Sequence, residues 1–255
     1  STDRSEKIMD FNFLQPGSTF YKIAEWIQRF VFANLLWLFF TLIGLGVFGI
    51  MPATAALYSI VRKWNKGNTS FPLFKTFWRE YKTNFIRANL LGLIMFFLGF
   101  ILYFNLNYYR EQTAAIYSYI YFLMLIFSFL YIILFLYLFP LYVNYELKFH
   151  HLIKNAFLIS ILSPAYTLMI VLAMAGVVMV FMVLPSLIPF LGISSLAFVN
   201  MWGAEKSFSK VEKKIKDHKK EDKDSNNKKE EQPENSQKQK DNQDNKETLE
   251  SSKEA

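Results

Sequence analysis

Four long stretches of the chain contain no charged residue, and short polar segments separate them. These stretches are residues 30–61, 88–109, 112–145 and 155–204, with lengths of 32, 22, 34 and 50 residues. A helix that crosses the hydrocarbon core of a bilayer needs about 20 mainly apolar residues. A buried core in a soluble domain does not need four uncharged runs of this length. The pattern therefore predicts an all-α, polytopic helical membrane protein.

Prolines and glycines divide these stretches into helices. Pro185 and Pro189 are expected to break the longest stretch into two spans, and Pro140 is expected to end the third. In the first stretch, the glycines from Gly44 to Gly49 precede Pro52, a residue that suits the first position of a helix. This order predicts a hairpin of two helices. The expected membrane domain covers 21–203, with helices near 21–43, 52–64, 86–106, 115–140, 156–184 and 187–206.

The short second helix leaves two topologies open. If it crosses the membrane, the protein has six spans, and the N-terminal segment 1–20 lies on the same side as the end of that helix. If it lies along the membrane surface, there are five spans and the N-terminus is on the other side. The hairpin pattern favours six.

The net charge of +7 would suggest a nucleic-acid partner if it were spread over the whole chain. Residues 62–87, called here the basic segment, contain seven Lys or Arg and only Glu80 as an acid, so they carry +6 of the +7. Because this segment lies between two apolar stretches, its charge indicates orientation and excludes nucleic acid as the partner. Lys and Arg concentrate in cytoplasmic loops. We therefore expect the basic segment and both termini to lie in the cytoplasm of a bacterial cell membrane protein.

Aromatic residues alternate with the bases of the basic segment. Five of them recur at intervals of three and four residues: Phe71, Phe74, Trp78, Tyr81 and Phe85. This spacing predicts an interfacial amphipathic helix near 71–85. It could contact anionic lipid headgroups or dock a protein partner. The candidate contact residues are Arg62, Lys63, Trp64, Lys66, Phe74, Lys75, Phe77, Trp78, Arg79, Lys82, Phe85 and Arg87.

Motifs for catalysis or cofactor binding are weak. The chain has no cysteine, which excludes disulfide scaffolds and zinc–thiolate sites. The pattern Gly44-x-Gly46-x-x-Gly49 matches a dinucleotide fingerprint, but it lies in an apolar stretch and predicts a turn instead. Glu146 and His150 share a helix face and are weak candidates for a metal site or an interfacial enzyme; solvated surface residues are the expected interpretation. We predict no enzyme activity, no metal and no cofactor.

The C-terminal region, 207–255, is a charged tail. Residues 204–255 contain 14 Lys and 14 Asp or Glu. Such a segment buries too little apolar surface to offset the entropy of ordering. The tail is therefore expected to be disordered after about residue 217.

Several motifs together resemble the YesL family of bacterial integral membrane proteins. They are Asn34-Leu-Leu-Trp37-Leu-Phe-Phe, Gly49-Ile-Met-Pro52-Ala-Thr-Ala55-Ala-Leu-Tyr58, Phe74-Lys-Thr-Phe77, Tyr81-Lys-Thr-Asn84-Phe85, Leu138-Phe-Pro140-Leu-Tyr and Asn155-Ala-Phe. The resemblance covers about residues 10–212, and the charged tail departs from the family pattern. The family has no assigned function and no catalytic residues that could be transferred.

Genes of this family often neighbour genes of carbohydrate ABC transporters. The resemblance therefore implies a non-enzymatic accessory or assembly partner of such a transporter. The alternative is an autonomous transporter or channel for a neutral solute or lipid. That alternative requires a polar cavity between helices, near Asn34, Asn89 and Thr167.

Overall fold

The computed structural model describes residues 19–112, 114–145 and 149–217, and every regular element among them is a helix. The α-helices are α1 (Thr19–Ile43), α2 (Val47–Asn65), α3 (Leu73–Arg110), α4 (Ala115–Asn144), α5 (Phe149–Leu162), α6 (Pro164–Val183) and α7 (188–217). A single 3₁₀ turn, Pro185–Leu187, precedes α7. The predicted all-α class is confirmed.

Five of the described helical segments are long and apolar enough to cross a membrane. They are α1, α3, α4, α6 and the segment Pro185–Asp217, which contains α7. The protein is therefore a multi-pass membrane protein. The chain forms two compact units, residues 1–207 and 208–255. The first contains the helical core, and the described part of the second is the end of α7, residues 208–217.

Helix α2 lies at the centre of the core, although it is not among the five segments that are long and apolar enough to cross a membrane. It packs against α1, α3 and α4. Ala53, Ala55 and Ala56 are fully buried, and such small side chains let neighbouring helices approach closely. The ring of Tyr58 stacks on that of Phe139 in α4, with 5.4 Å between centroids. Ten of the 19 residues of α2 are buried, so this helix does not need a uniformly apolar surface.

The turn between α1 and α2 depends on two glycines. A Cβ atom on Gly44 would lie 2.3 Å from the Cα of Gly49, and one on Gly49 would lie 2.3 Å from the carbonyl oxygen of Thr41. Both distances are far below a normal contact, so only glycine permits this close approach. The glycine motif thus forms the hairpin turn.

The expected break at Pro185 is present, since α6 ends at Val183 and a 3₁₀ turn follows, but three other prolines act differently from the sequence-based expectation. Helix α2 begins at Val47, so Pro52 lies inside it rather than at its first position, and α4 continues through Pro140 to Asn144. Prolines are tolerated within membrane helices when neighbouring groups satisfy the freed carbonyls. The chain breaks instead at Ser163, before Pro164, so the expected single helix 156–184 is two helices, α5 and α6.

The expected interfacial helix and the span after it form one continuous helix. Helix α3 contains 38 residues, from Leu73 to Arg110. No glycine or proline occurs between Leu73 and Leu91, so nothing in the sequence interrupts the helical backbone at the membrane boundary. The basic segment therefore includes the first turns of a membrane-crossing helix, and these turns do not form a separate surface helix.

Candidate basic groove

The basic segment consists of the last turn of α2, the connection 66–72 and the first four turns of α3. One carboxylate links the two helices. The Nζ atom of Lys63 in α2 lies 3.5 Å from Oε1 of Glu80 in α3, and Nη2 of Arg79 lies 3.3 Å from the same oxygen. The Lys63–Glu80 pair joins the end of α2 to the beginning of α3, whereas Arg79 and Glu80 are neighbours within α3.

The aromatic residues of the basic segment point in two directions. Trp64 and Phe77 are buried, and the ring of Phe77 stacks on Phe40 of α1 with 5.1 Å between centroids. Phe85 is half-buried against Tyr81. Phe74 and Trp78 are exposed by 52% and 40%. These two rings are exposed at their outer edges, although both also contact Phe40 of α1.

The buried face of α3 differs from the face expected from the aromatic spacing. The buried residues of α3 include Phe77, Tyr81, Ala88 and Leu91, which recur at helical intervals and pack inward. The expected face also contained Phe74 and Trp78, which lie at the edge of this contact instead. The buried face continues at Ala88 and Leu91, which are not aromatic. The aromatic spacing alone therefore could not show which face of α3 is buried.

The bases of the segment have different environments. Arg62 is half-buried, and its Nη1 donates a hydrogen bond of 2.5 Å to the carbonyl oxygen of Val143 in α4. Arg62 thus has a structural contact within the core. Lys66 and Arg87 are exposed and do not line the groove formed by the other bases. The remaining four bases, Lys63, Lys75, Arg79 and Lys82, line one groove.

This groove has a volume of about 700 Å³. Its lining contains four bases, three neutral polar residues, two aromatic residues and one proline: Lys63, Lys75, Arg79, Lys82, Asn68, Thr76, Thr83, Phe71, Trp78 and Pro72. The Nζ of Lys63 lies 5.4 Å from the ring centre of Phe71, and that of Lys82 lies 5.1 Å from the ring centre of Trp78. No carboxylate is among these lining residues. The groove therefore favours an anion.

Three polar residues of the groove were not among the sequence-predicted contacts. Asn68 lies in the connection between the helices, and Thr76 and Thr83 lie on α3. Thr76 and Thr83 are three residues before and four residues after Arg79, so helical periodicity around the bases could have indicated them. Asn68 had no such signal, because its position depends on the path of the connection.

The weak Glu146 and His150 candidates are not brought together into a described site. Glu146 lies outside the described residues. His150 is exposed, and its ring centre lies 4.0 Å from that of His151. In the part of the chain that the structure describes, no group of three or more His, Asp or Glu residues could hold a metal ion. The predicted disorder after residue 217 also falls outside the described residues.

The polar side chains of the apolar stretches have separate partners. Asn34 of α1 donates from Nδ2 to the carbonyl oxygen of Pro189 at 2.7 Å, and its Oδ1 accepts from the N–H groups of Ile193 and Ser194. Asn89 donates to Phe85 of its own helix, and Thr167 bonds Tyr137. These contacts join or stabilise helices. They do not place the three side chains around one shared cavity.

Comparison with known proteins shows the family. A family model described as "Protein of unknown function, DUF624" matches residues 30–106, which include the whole groove. The uncharacterised protein YteU of Bacillus subtilis is 38% identical over 180 residues, covering 71% of this chain and 81% of YteU. The chain belongs to the YesL family. Two further members from Bacillus subtilis match: YesV, 35% identical over 75% of this chain and 92% of YesV, and YesL, 29% identical over 60% of this chain and 72% of YesL. No solved structure matches the chain.

Proposed function

We propose that this YesL-family protein is a non-enzymatic accessory or assembly partner of a carbohydrate ABC transporter in the bacterial cell membrane. The observation that carries the proposal is the exposed, basic and aromatic beginning of α3, where Phe74, Lys75, Trp78 and Arg79 lie on a continuous helix. Basic and aromatic side chains on a rigid element suit docking, because such anchors contribute much of the affinity at protein interfaces. The gene neighbourhood implied by the family resemblance supplies the class of partner.

The orientation we propose places the basic segment in the cytoplasm, following the excess of Lys and Arg in cytoplasmic loops. Packing of α1 on α2 supports a cytoplasmic start of α1 as well. The ring of Trp26, near the beginning of α1, lies 5.9 Å from that of Trp64 at the end of α2, and Phe30 lies 5.7 Å from the same ring. An antiparallel pair of this kind starts and ends on one side. We therefore propose six crossings, with α2 as a crossing that neighbouring helices shield from lipid.

The beginning of α3 packs on α1 and still exposes its bases. The rings of Phe74, Phe77 and Trp78 lie 5.1–5.9 Å from that of Phe40 in α1, while Lys75 and Arg79 are exposed. These two bases are therefore accessible to a partner subunit.

The alternative of an autonomous transporter has less support. It needs polar groups around a path between the helices, but Asn34, Asn89 and Thr167 each bond a different partner. The groove of about 700 Å³ lies at the junction of α2 and α3, and none of these three residues lines it. These contacts favour the accessory function.

Purification of the tagged protein from its native membranes in mild detergent tests the proposal. We expect carbohydrate ABC-transporter subunits to copurify, and sugar uptake to fall when the gene is deleted. The double variant Lys75→Glu/Arg79→Glu should lose the subunits. The matched control Lys22→Glu/Lys154→Glu, which reverses two exposed charges elsewhere, should retain them.

Two results would contradict the proposal. One is the absence of every transporter subunit from the purified wild-type protein together with normal sugar uptake in the deletion strain. The other is equal recovery of the subunits by both double variants, which would show that the beginning of α3 is not the docking surface.

A further inference from the structure

We propose that the groove binds the phosphate group of a small phosphorylated ligand, with Lys75, Arg79 and Lys82 as the anion contacts. This inference concerns the isolated protein and does not depend on a transporter partner. It starts from charge. Four bases line the groove, and Glu80 is the carboxylate beside them. The local excess is therefore three positive charges.

The bases of the groove are incompletely neutralised. One oxygen of Glu80 is shared by Lys63 and Arg79. Among the described residues, no ion pair joins Lys75 or Lys82 to a carboxylate. Like charges that line one groove repel one another, and water weakens this repulsion because Lys75, Arg79 and Lys82 are exposed. A bound dianion would reduce this repulsion, and Arg and Lys are the usual side-chain donors to phosphate.

The beginning of α3 adds further positive charge to the groove. Pro72 precedes the helix without a side-chain cap, and the first turn contains no acidic residue. The first N–H groups of a helix carry partial positive charge, so a base in this position is unfavourable and an anion is favourable. Lys75 is in that first turn and lines the groove. The bases and the helix end thus favour the same kind of ligand.

The rest of the lining fits an organic phosphate better than a bare ion. Asn68, Thr76 and Thr83 offer neutral hydrogen-bonding groups, and Phe71 and Trp78 offer ring surfaces. A volume of about 700 Å³ is within the range of about 300–1,000 Å³ found for small-molecule sites. A phosphorylated sugar has both the charged group and the hydroxyl-bearing ring that such a lining would bind.

A phosphate group could come from a soluble compound or from a phospholipid headgroup. The experiment below has one arm for each source.

Binding to the purified full-length protein in nanodiscs of neutral phosphatidylcholine tests this inference. Glucose 6-phosphate is titrated by calorimetry, with glucose as the uncharged comparison. A second set of nanodiscs contains phosphatidylglycerol, and its retention around the protein is measured after detergent extraction. Three proteins are compared: wild type, Lys75→Gln/Arg79→Gln and the matched control Lys22→Gln/Lys154→Gln. Folding of each is checked by its thermal unfolding.

We expect glucose 6-phosphate to bind the wild type and the control alike, glucose to bind neither, and the groove variant to lose about tenfold or more in affinity, as expected when charged contacts are removed. The conservative variant Lys75→Arg/Arg79→Lys should retain most of the binding. Groove-dependent retention of phosphatidylglycerol without sugar-phosphate binding would support the phosphate site and assign its source to lipid. The inference is overturned if neither phosphate compound binds, if glucose binds equally well, or if the two Gln variants behave alike.

Discussion

Replacing Asn34 by alanine should destabilise the helical core strongly, because this side chain connects α1 to the beginning of α7. Asn34 is only 1% exposed. Its amide makes three hydrogen bonds to backbone groups: to the oxygen of Pro189 at 2.7 Å, and from the N–H groups of Ile193 and Ser194 at 3.0 and 3.1 Å. Alanine would leave these groups without their partner in an apolar environment.

The expected loss of stability follows from the number of hydrogen bonds that Asn34 makes. Hydrogen bonds between membrane helices contribute about 0.6 kcal/mol on average and about 1.7 kcal/mol at most, so three of them correspond to about 2–5 kcal/mol. For a protein of this size, that loss lowers the unfolding temperature by about 4–20 °C. Thermal unfolding in one detergent, followed by size-exclusion chromatography of the heated samples, measures the difference.

Asn105→Ala is the matched control. Asn105 bonds only the carbonyl oxygen of Ile101 in its own helix, and this contact is exposed. Its replacement should change stability by less than about 0.5 kcal/mol. If the Asn34 and Asn105 variants unfold at the same temperature, the bridge between α1 and α7 does not contribute as we propose.

Three further outcomes follow from the packing. Gly44→Ala should lower the unfolding temperature, since the added Cβ would lie 2.3 Å from the Cα of Gly49. Gly176→Ala should not lower it, because no atom lies within 4 Å of the Cβ added there. Equal unfolding temperatures of the two variants would contradict the tight turn. Chemical unfolding should show that Phe77→Ala lowers the free energy of unfolding by about 3–5 kcal/mol, because a buried ring is lost. Phe74→Ala should lower it by less than about 1 kcal/mol, and similar losses for the two variants would show that Phe77 is not a core residue. The chain has no cysteine, so the single variants Ser70→Cys and Glu111→Cys can be labelled specifically in intact cells with a membrane-impermeant maleimide. Only the Glu111→Cys variant should react. Labelling of the Ser70→Cys variant would contradict the proposed orientation.

The membrane class and most helices could be predicted from the sequence because uncharged runs have one dominant physical explanation. Of the helix ends at prolines, only the one before Pro185 was predicted correctly. Pro52 and Pro140 lie inside helices, and Pro164 begins one. Whether a proline breaks a membrane helix depends on the groups that neighbouring helices offer to the freed carbonyl, and these are known only from the packing.

The groove was predictable only in part. Charge counting identified the bases of the segment, since local excess of Lys and Arg needs no structural information. It could not separate Arg62, which bonds Val143 in α4, from Lys75, which lines the groove. Nor could aromatic spacing show that Phe77 is buried against Phe40 while Trp78 is exposed. Both distinctions depend on which helices meet at the beginning of α3.

Site-specific photocrosslinking at Phe74 in native membranes tests the central claim most directly. Phe74 is 52% exposed at the beginning of α3, and Phe104, 63% exposed in the apolar part of the same helix, is the matched control. With a photoreactive phenylalanine at position 74, we expect a covalent adduct with a subunit of a carbohydrate ABC transporter, and at position 104 adducts mainly with lipid. A protein that forms no transporter adduct from position 74, while the transporter is present in the same membranes, would contradict the proposed docking function.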